Sequence, residues 1–231
     1  MTRHILDTPT EVQIHYYGHS CFLLSFDSNF SILIDPYRNR EDKLWFKKLM
    51  PEVNCDLCLI THAHFDHDEI HVLEETSSIL RVPGTFINNS IEIHGFQDIH
   101  AGRSGKLNFP NTIFKIEAAN MSFVHWGDNR PNIADSIHES IKEPDILFLP
   151  SDDTRHLLSF DEIEELIRII RPKVVIPMHY FIDKISHKEN SLLGINEWLN
   201  SRPEPKKHIT NDFIINATTI PDETEIWVID C

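Results

Sequence analysis

Cysteine is scarce in this sequence, which has four among its 231 residues. They stand at positions 21, 55, 58 and 231, a spacing too irregular for the disulfide framework of a small secreted protein. Cys55 and Cys58 form a Cys-x-x-Cys pair, but no second pair completes a tetrahedral thiolate site. We therefore interpret both thiols as structural.

Long apolar runs are missing as well. The start of the chain lacks the apolar stretch of a signal peptide, and no later run approaches the length that spans a membrane. We therefore expect a cytoplasmic protein with no membrane partner.

Positive charge is also in short supply. Lysine and arginine together number 21 against 36 aspartate and glutamate residues, which gives a net charge of -15. Such a chain repels polyanions, so we expect a small-molecule substrate and no nucleic-acid partner, while a homo-oligomer stays open. With 41% hydrophobic residues and no linker, residues 1–231 are predicted to form a single domain.

Histidine, in contrast, is concentrated in one stretch. Thr61–Asp68 reads Thr-His-Ala-His-Phe-Asp-His-Asp and follows a short apolar run at 56–60 that predicts a buried strand. Imidazole and carboxylate are the usual ligands of zinc and its first-row neighbours. Because the cluster offers more ligands than one catalytic ion needs, it predicts a site for two metal ions at a strand's end.

Patterns elsewhere predict the surrounding elements. Residues 12–37 predict three antiparallel strands, and the capping-box sequence that begins at Ser159 predicts a helix ending before Pro172. An apolar run then predicts a strand that ends at His179. The interspersed apolar residues of 40–50 and 68–80 predict a short surface helix and a helix packed behind the histidine cluster.

The histidine cluster has a family resemblance. The pattern His62-x-His64-x-Asp66-His67 resembles the defining motif of the metallo-β-lactamase superfamily. Four further pieces resemble that family's other motifs in the same order, so the likeness spans residues 18–180: Gly18-His19-Ser20, Ile34-Asp35-Pro36, His125-Trp126-Gly127-Asp128 and Ile176-Pro177-Met178-His179-Tyr180. It implies an α/β (α+β) fold, a four-layer αββα sandwich with two mixed sheets. The amino-acid sequences of these motifs are most similar to those of small single-domain members of the ascorbate-6-phosphate lactonase type.

The resemblance also implies roles for individual residues. One ion would be held by His62, His64 and His100, and the other by Asp66, His67 and His179, with Asp128 bridging. His94 lies near His100 in sequence, so the choice between them stays open. Asp35 and His19 would support the ligands from behind. Asp66, Asp128 and His125 are the expected catalytic residues.

Two metal ions about 3.5–4 Å apart can activate a shared water as hydroxide at neutral pH. The implied reaction is hydrolysis of a small anionic ester, lactone or phosphodiester, with zinc or manganese expected and iron or nickel left open. Arg103, Lys106 and Tyr180 are predicted to contact the substrate, the first two by attracting its negative charge. The alternatives are a diiron-type oxidoreductase and a catalytically silent metal-binding module of the same fold.

Overall fold

Two mixed β-sheets dominate the computed structural model, which describes residues 8–102 and 108–231. The strands are β1 (Val12–Gly18), β2 (Cys21–Phe26), β3 (Phe30–Ile34), β4 (Leu57–Leu59), β5 (Ser78–Leu80), β6 (Gly84–Asn88), β7 (Ile91–Ile99), β8 (Pro110–Ala118), β9 (Met121–His125), β10 (Ile146–Pro150), β11 (Val174–Met178), β12 (Lys206–Thr210), β13 (Asp212–Ile215) and β14 (Glu225–Asp230). The α-helices are α1 (Asp135–Ile141), α2 (Phe160–Ile170) and α3 (Asn196–Ser201). Among the described residues, no helix is long and apolar enough to cross a membrane.

The smaller sheet has the order β13-β1-β2-β3-β4-β5. Strands β1 to β3 form the predicted antiparallel meander, and β4 and β5 continue the sheet in parallel. The larger sheet has the order β12-β14-β11-β10-β9-β8-β7-β6. Its strands from β12 to β9 are parallel and those from β9 to β6 antiparallel, which confirms the two mixed sheets predicted from the sequence.

The main core follows from the alternation of apolar residues along the strands. In β1, Val12, Ile14 and Tyr16 are buried and belong to the core between the sheets, while the residues between them are more exposed. The central strands β10 and β11 are buried along their whole length. Helix α2 adds its apolar face to this core, and its first turn is closed by the predicted capping box between Ser159 and Glu162.

The outer face of the smaller sheet is covered by irregular chain. Its side chains, among them Leu33 and Cys58, form a second buried cluster with Trp45 and Phe46 of the loop that precedes β4. In the described part of the chain, this layer contains only a short 3₁₀ turn, at Ile70–Val72. The two predicted helices at 40–50 and 68–80 were therefore wrong.

Tertiary contacts explain both errors. In the first segment, Trp45 and Phe46 are buried whereas Leu44 and Leu49 are 48% and 60% exposed, a pattern that no single helix face produces. In the second, Ser78 to Leu80 adds a strand to β4 and buries Leu80 in the main core. The hydrogen bonds of that ladder replace those of a helix.

Candidate metal centre

Five strands end near one another at one edge of the sandwich, and each is followed closely by histidine or aspartate. The residues concerned are His19 after β1, the 61–67 loop after β4, His100 after β7, Asp128 after β9 and His179 after β11. The turns are tight: His19, Asp35 and His179 have positive φ, a conformation that costs about 1–3 kcal/mol and clusters at functional sites. The fold thus brings together residues that are far apart in sequence.

The turn before Asp128 requires glycine. Gly127 has φ +59, and a Cβ atom there would lie 2.5 Å from the Asn111 side-chain oxygen and 2.8 Å from the Thr61 Cβ atom. Thr61 starts the histidine loop, and the Asn111 oxygen accepts a hydrogen bond from the Asp128 N–H at 3.1 Å. Because neither can move without disturbing the site, the Gly-Asp pair of the sequence motif has a steric reason.

The first cluster contains His62, His64, His100 and Asp128. His62 Nε2 lies 3.0 Å from His64 Nδ1, and His100 Nε2 lies 3.2 Å from Asp128 Oδ2. Two nitrogens that bind one zinc ion at about 2.0–2.1 Å each are separated by roughly 3.3 Å, so this spacing suits one ion.

The second cluster contains His19, Asp66, His67 and His179. His179 Nε2 lies 3.7 Å from Asp66 Oδ2, and His67 Nε2 lies 3.8 Å from the same oxygen. Asp128 also reaches this group, with its carboxylate oxygens 3.4 Å from the Nε2 atoms of both His67 and His179. Asp128 therefore lies between the two clusters.

Several polar atoms of the site have no hydrogen-bond partner. Six buried side-chain polar atoms in the described residues lack one, and four of them lie in this site: His67 Nε2, His100 Nε2, Asp128 Oδ1 and His179 Nε2. An unsatisfied buried polar atom costs about 1–3 kcal/mol, so their convergence needs a compensating ligand. Imidazole nitrogen and carboxylate oxygen are donors that zinc and manganese accept, and the residues present fit such ions.

Asp35 fixes the orientation of the histidine loop. Its buried carboxylate accepts hydrogen bonds from the Thr61 N–H at 2.8 Å, the Thr61 hydroxyl at 2.7 Å and the His67 Nδ1–H at 2.8 Å. Because Nδ1 of His67 donates, Nε2 faces the site and would carry the lone pair once a metal ion displaces its proton. Without a cation, Asp128 and Asp35 outweigh burial and raise the pKa of His67 well above its usual value. The Thr61 oxygen in turn accepts from His62 Nδ1 at 2.9 Å, so His62 Nε2 presents its lone pair to the site, 3.0 Å from His64 Nδ1.

His19 supports the other carboxylate. Its Nε2 lies 3.2 Å from Asp66 Oδ2, and burial together with nearby His179 lowers the pKa of His19 from 6.5 to about 3. The ring is therefore neutral, and its Nε2–H donates a hydrogen bond to the Asp66 carboxylate. This position agrees with the supporting role expected from the sequence.

Both carboxylates between the histidines are ionised. Burial alone would raise the pKa of each acid, but the neighbouring His179 and His19 rings hold the pKa of Asp66 well below its usual value. The charges of His179 and His67 do the same for the pKa of Asp128. The site thus contains negative charge where a cation would bind.

Burial and the nearby carboxylates shift the pKa values of the histidines in opposite directions. Burial lowers the pKa of His62 well below its usual value. For His179 burial acts in the same direction, but the Asp128 carboxylate outweighs it and raises the pKa to about 9. In the absence of a cation, His179 therefore holds a proton at neutral pH that a metal ion would have to displace.

Three residues that the sequence suggested for the site, His94, His125 and Tyr180, lie outside the two ligand clusters. His94 lies in the middle of β7, where its Nε2 is 3.3 Å from Glu117, so the geometry favours His100 over His94. His125 has both ring nitrogens bonded to backbone, Nε2 to the Ser20 carbonyl and Nδ1 to the Gly127 N–H. Tyr180 is buried in the main core and is not among the described residues that line the cavity over the metal ligands.

The substrate loop predicted from the sequence cannot be placed. Arg103 and Lys106 lie outside the described residues, so their contact with a substrate stays a prediction.

A cavity of about 250 Å³ opens directly onto the ligands. Besides Asp66, Asp128 and the histidines, its described lining includes Arg40, Lys43, Trp45, Phe65 and His156. The sequence analysis missed these residues, although His156 closely follows the end of β10 at the same edge of the sheet, where ligands bind in α/β folds. Larger cavities among the described residues, of about 480, 460 and 270 Å³, are lined by other residues and hold none of the metal ligands.

Known proteins resemble this chain in sequence and in fold. Residues 13–179 match the family described as a β-lactamase superfamily domain. A metal-dependent hydrolase from Staphylothermus marinus is 30% identical over 72% of this chain and 82% of its own length. One from Methanopyrus kandleri is 25% identical over 73% and 84%. A solved structure from Thermotoga maritima, named as a Zn-dependent hydrolase of the metallo-β-lactamase superfamily, has a TM-score of 0.72 at 25% identity and covers 94% of this chain and 98% of that one.

Proposed function

The chain belongs to the metallo-β-lactamase superfamily, and from this membership we propose that it is a metal-dependent hydrolase of small anionic esters, lactones or phosphodiesters that holds two divalent ions. The observation that carries the proposal is the convergence of four buried, partnerless nitrogen and oxygen atoms around Asp128. The seven side chains proposed as ligands exceed what a single four-coordinate ion uses, which supports two ions.

We assign the ligands to two ions according to the two clusters that their nitrogen and oxygen atoms form. His62, His64 and His100 would hold one ion, and Asp66, His67 and His179 the other, with Asp128 shared between them. We propose zinc or manganese, since both accept mixed nitrogen and oxygen ligands. When bound, two such ions would lower the pKa of a water and polarise the carbonyl or phosphoryl oxygen of the substrate.

The chain's own residues contribute orientation and charge. Ionised Asp66 and Asp128 offset the positive charge of the centre and can accept hydrogen bonds from an attacking water. Asp35 and His19 keep the ligands oriented. We assign His125 a structural role instead of the catalytic one, because both of its ring nitrogens are already hydrogen-bonded to backbone.

The cavity bounds the size of the substrate. At about 250 Å³ it is smaller than the roughly 300–1,000 Å³ typical of sites for drug-sized ligands. Trp45 and Phe65 form an aromatic wall beside the ligands, with ring centroids 5.4 Å apart. A small molecule fits this space, and a polymer would reach the centre only by one end.

The two alternatives lack a specific observation in their favour. A diiron-type oxidoreductase could use similar ligands, and a silent module would keep the fold without reactivity. The complete set of seven ligand positions and the open cavity above them favour a working hydrolase.

Metal reconstitution followed by a substrate screen tests the proposal. Metal-free protein would be loaded with zinc or manganese and assayed on small esters, lactones and phosphodiesters, beside Asp128→Ala and a control, Asp145→Asn, whose carboxylate lies away from the site. We expect hydrolysis by the wild type and the control and its loss in Asp128→Ala. An iron absorption spectrum with oxygen-dependent turnover would favour the oxidoreductase, and inactivity with every metal would favour the silent module.

A further inference from the structure

The loop of residues 38–46, which contributes Arg40, Lys43 and Trp45 to the cavity beside the metal ligands, is held in a defined shape. The Arg38 N–H donates to the Phe65 carbonyl at 3.0 Å, which ties the loop to the histidine segment. The Asn39 side chain accepts from the N–H groups of Trp45 and Phe46, at 2.9 Å each, and donates to the Phe46 carbonyl at 2.7 Å. Side chains of this loop are therefore presented to the cavity by a fixed backbone.

Within the loop, a tight turn directs Lys43 over the aromatic wall. The backbones of Arg40 and Lys43 exchange two hydrogen bonds, of 3.2 and 3.1 Å. The Lys43 Nζ atom lies 3.8 Å from the centroid of the Trp45 ring and 4.9 Å from that of Phe65. A cation over an aromatic face is held electrostatically without losing its charge, so it can still bind an anion.

Of the two lysine and arginine side chains in the described cavity lining, Lys43 is the one whose charge is available. Arg40 is engaged by Asp42, with nitrogen to oxygen distances of 2.9 and 2.8 Å. No carboxylate among the described residues lies within 4.0 Å of Lys43. The ammonium group of Lys43 and the metal ligands line the same cavity, in a molecule whose net charge is -15.

We propose that Lys43 recognises an anionic group of the substrate that is separate from the bond being hydrolysed, while Trp45 and Phe65 pack against the apolar part between the two. This inference rests on the proposed hydrolase function. It specifies the substrate as a small ester or lactone that carries its negative charge at the end away from the reacting carbonyl. An ammonium group binds such an anion as a point charge.

A matched substrate pair tests this inference. The metal-loaded enzyme would be assayed with 4-acetoxybenzoate and with 4-acetoxybenzamide, which differ in charge but hardly in shape. Lys43→Met removes the charge and keeps the apolar stem, Lys43→Arg keeps the charge, and Lys47→Met is the control, because Lys47 lies 3.7 Å from Asp183 and is not among the described lining residues.

We expect Lys43→Met to lower the ratio of kcat/KM for the anionic over the neutral ester by about 10- to 100-fold, chiefly through KM, as for a lost hydrogen bond to a charged group. Lys43→Arg should restore most of the ratio, and Lys47→Met should change it less than about twofold. An unchanged ratio in Lys43→Met would overturn the inference. So would a loss seen only in Arg103→Ala/Lys106→Ala.

Calorimetric binding of the two products, 4-hydroxybenzoate and 4-hydroxybenzamide, separates this inference from the proposed function. Weaker binding of the benzoate alone by Lys43→Met would support anion recognition even if neither ester were hydrolysed. Equal or undetectable binding of the two products by the wild type would overturn it even if hydrolysis were observed.

Discussion

Replacing Asp35 with asparagine should weaken metal binding although Asp35 is not itself a proposed ligand. Asparagine has nearly the same shape and tolerates the φ of +48 found at this position. It exchanges one carboxylate oxygen for an NH₂ group, which cannot accept the hydrogen bond from His67 Nδ1. With the NH₂ group in the place of Oδ2, His67 takes the other tautomer, with its proton on Nε2, the atom that faces Asp128 in the site. With the NH₂ group in the place of Oδ1, it meets the Thr61 N–H and displaces the start of the histidine loop.

The size of the effect follows from the lost contacts. A hydrogen bond to a charged group contributes about 1.5–3 kcal/mol, and Asp35 is fully buried with three acceptor contacts at 2.7 to 2.8 Å. Loss of a hydrogen bond that orients a metal ligand lowers metal affinity about 10- to 100-fold. At about 1.4 kcal/mol per tenfold, these two ranges agree.

Chelator competition with mass-spectrometric metal analysis would measure the affinity, and ¹⁵N NMR of the imidazoles would report the tautomer of His67. The matched control is Asp145→Asn, because Asp145 accepts hydrogen bonds from the Ser122 N–H at 2.8 Å and Lys173 at 2.9 Å but does not contact the site. Metal affinity in Asp35→Asn equal to that of the control would refute the orientation argument.

Three further predictions concern the surroundings of the site. The variant Cys55→Ser/Cys58→Ser should keep its metal content while its Tm falls by several degrees, since a buried hydroxyl without a partner costs about 1–3 kcal/mol; loss of an ion would show a thiolate site. His125→Phe should likewise lose stability, because the Ser20 carbonyl is left unpaired, but keep its ions and its turnover; a selective loss of kcat would restore the catalytic assignment. In metal-free protein the raised pKa of His179 predicts that the stability from its contact with Asp128 is complete below pH about 6.5 and lost as pH rises through about 9. Thermal unfolding should show this loss in the metal-free form alone, and equal pH dependence with and without metal would contradict it.

Local patterns predicted the elements that carry the ligands. Alternating apolar residues in 12–34 and the capping box at Ser159 depend on neighbours in sequence, and both appear in the structure. The strand ends that precede the histidine loop and His179 were found in the same way. These features are encoded within a few residues, so no knowledge of the tertiary fold was needed.

The two wrong helices show where that reasoning stops. Trp45 and Phe46 are neighbours in sequence, yet both are buried, because hydrogen bonds with Asn39 and with the backbone of the distant segment 185–187 shape their loop. Similarly, Leu80 enters the core through pairing with β4. Contacts between distant segments decided both cases, and periodicity does not record them.

The length of β7 was needed to decide whether His94 or His100 is the third histidine ligand of the first ion. Both lie at even positions of one segment, so alternation does not separate them. At about 3.3 Å per residue, the six intervening steps place them about 20 Å apart along the strand. Only the end of β7, at Ile99, reaches the edge where the other ligands meet.

Metal stoichiometry tests the central claim most directly. Wild-type protein incubated with excess zinc or manganese, freed of unbound metal by gel filtration and analysed by mass spectrometry should hold two ions per chain. Asp128→Ala should hold one, because Asp128 lies between both clusters, at 3.2 Å from His100 and 3.4 Å from His179. A wild-type protein that stays at one ion or none would contradict the two-metal account.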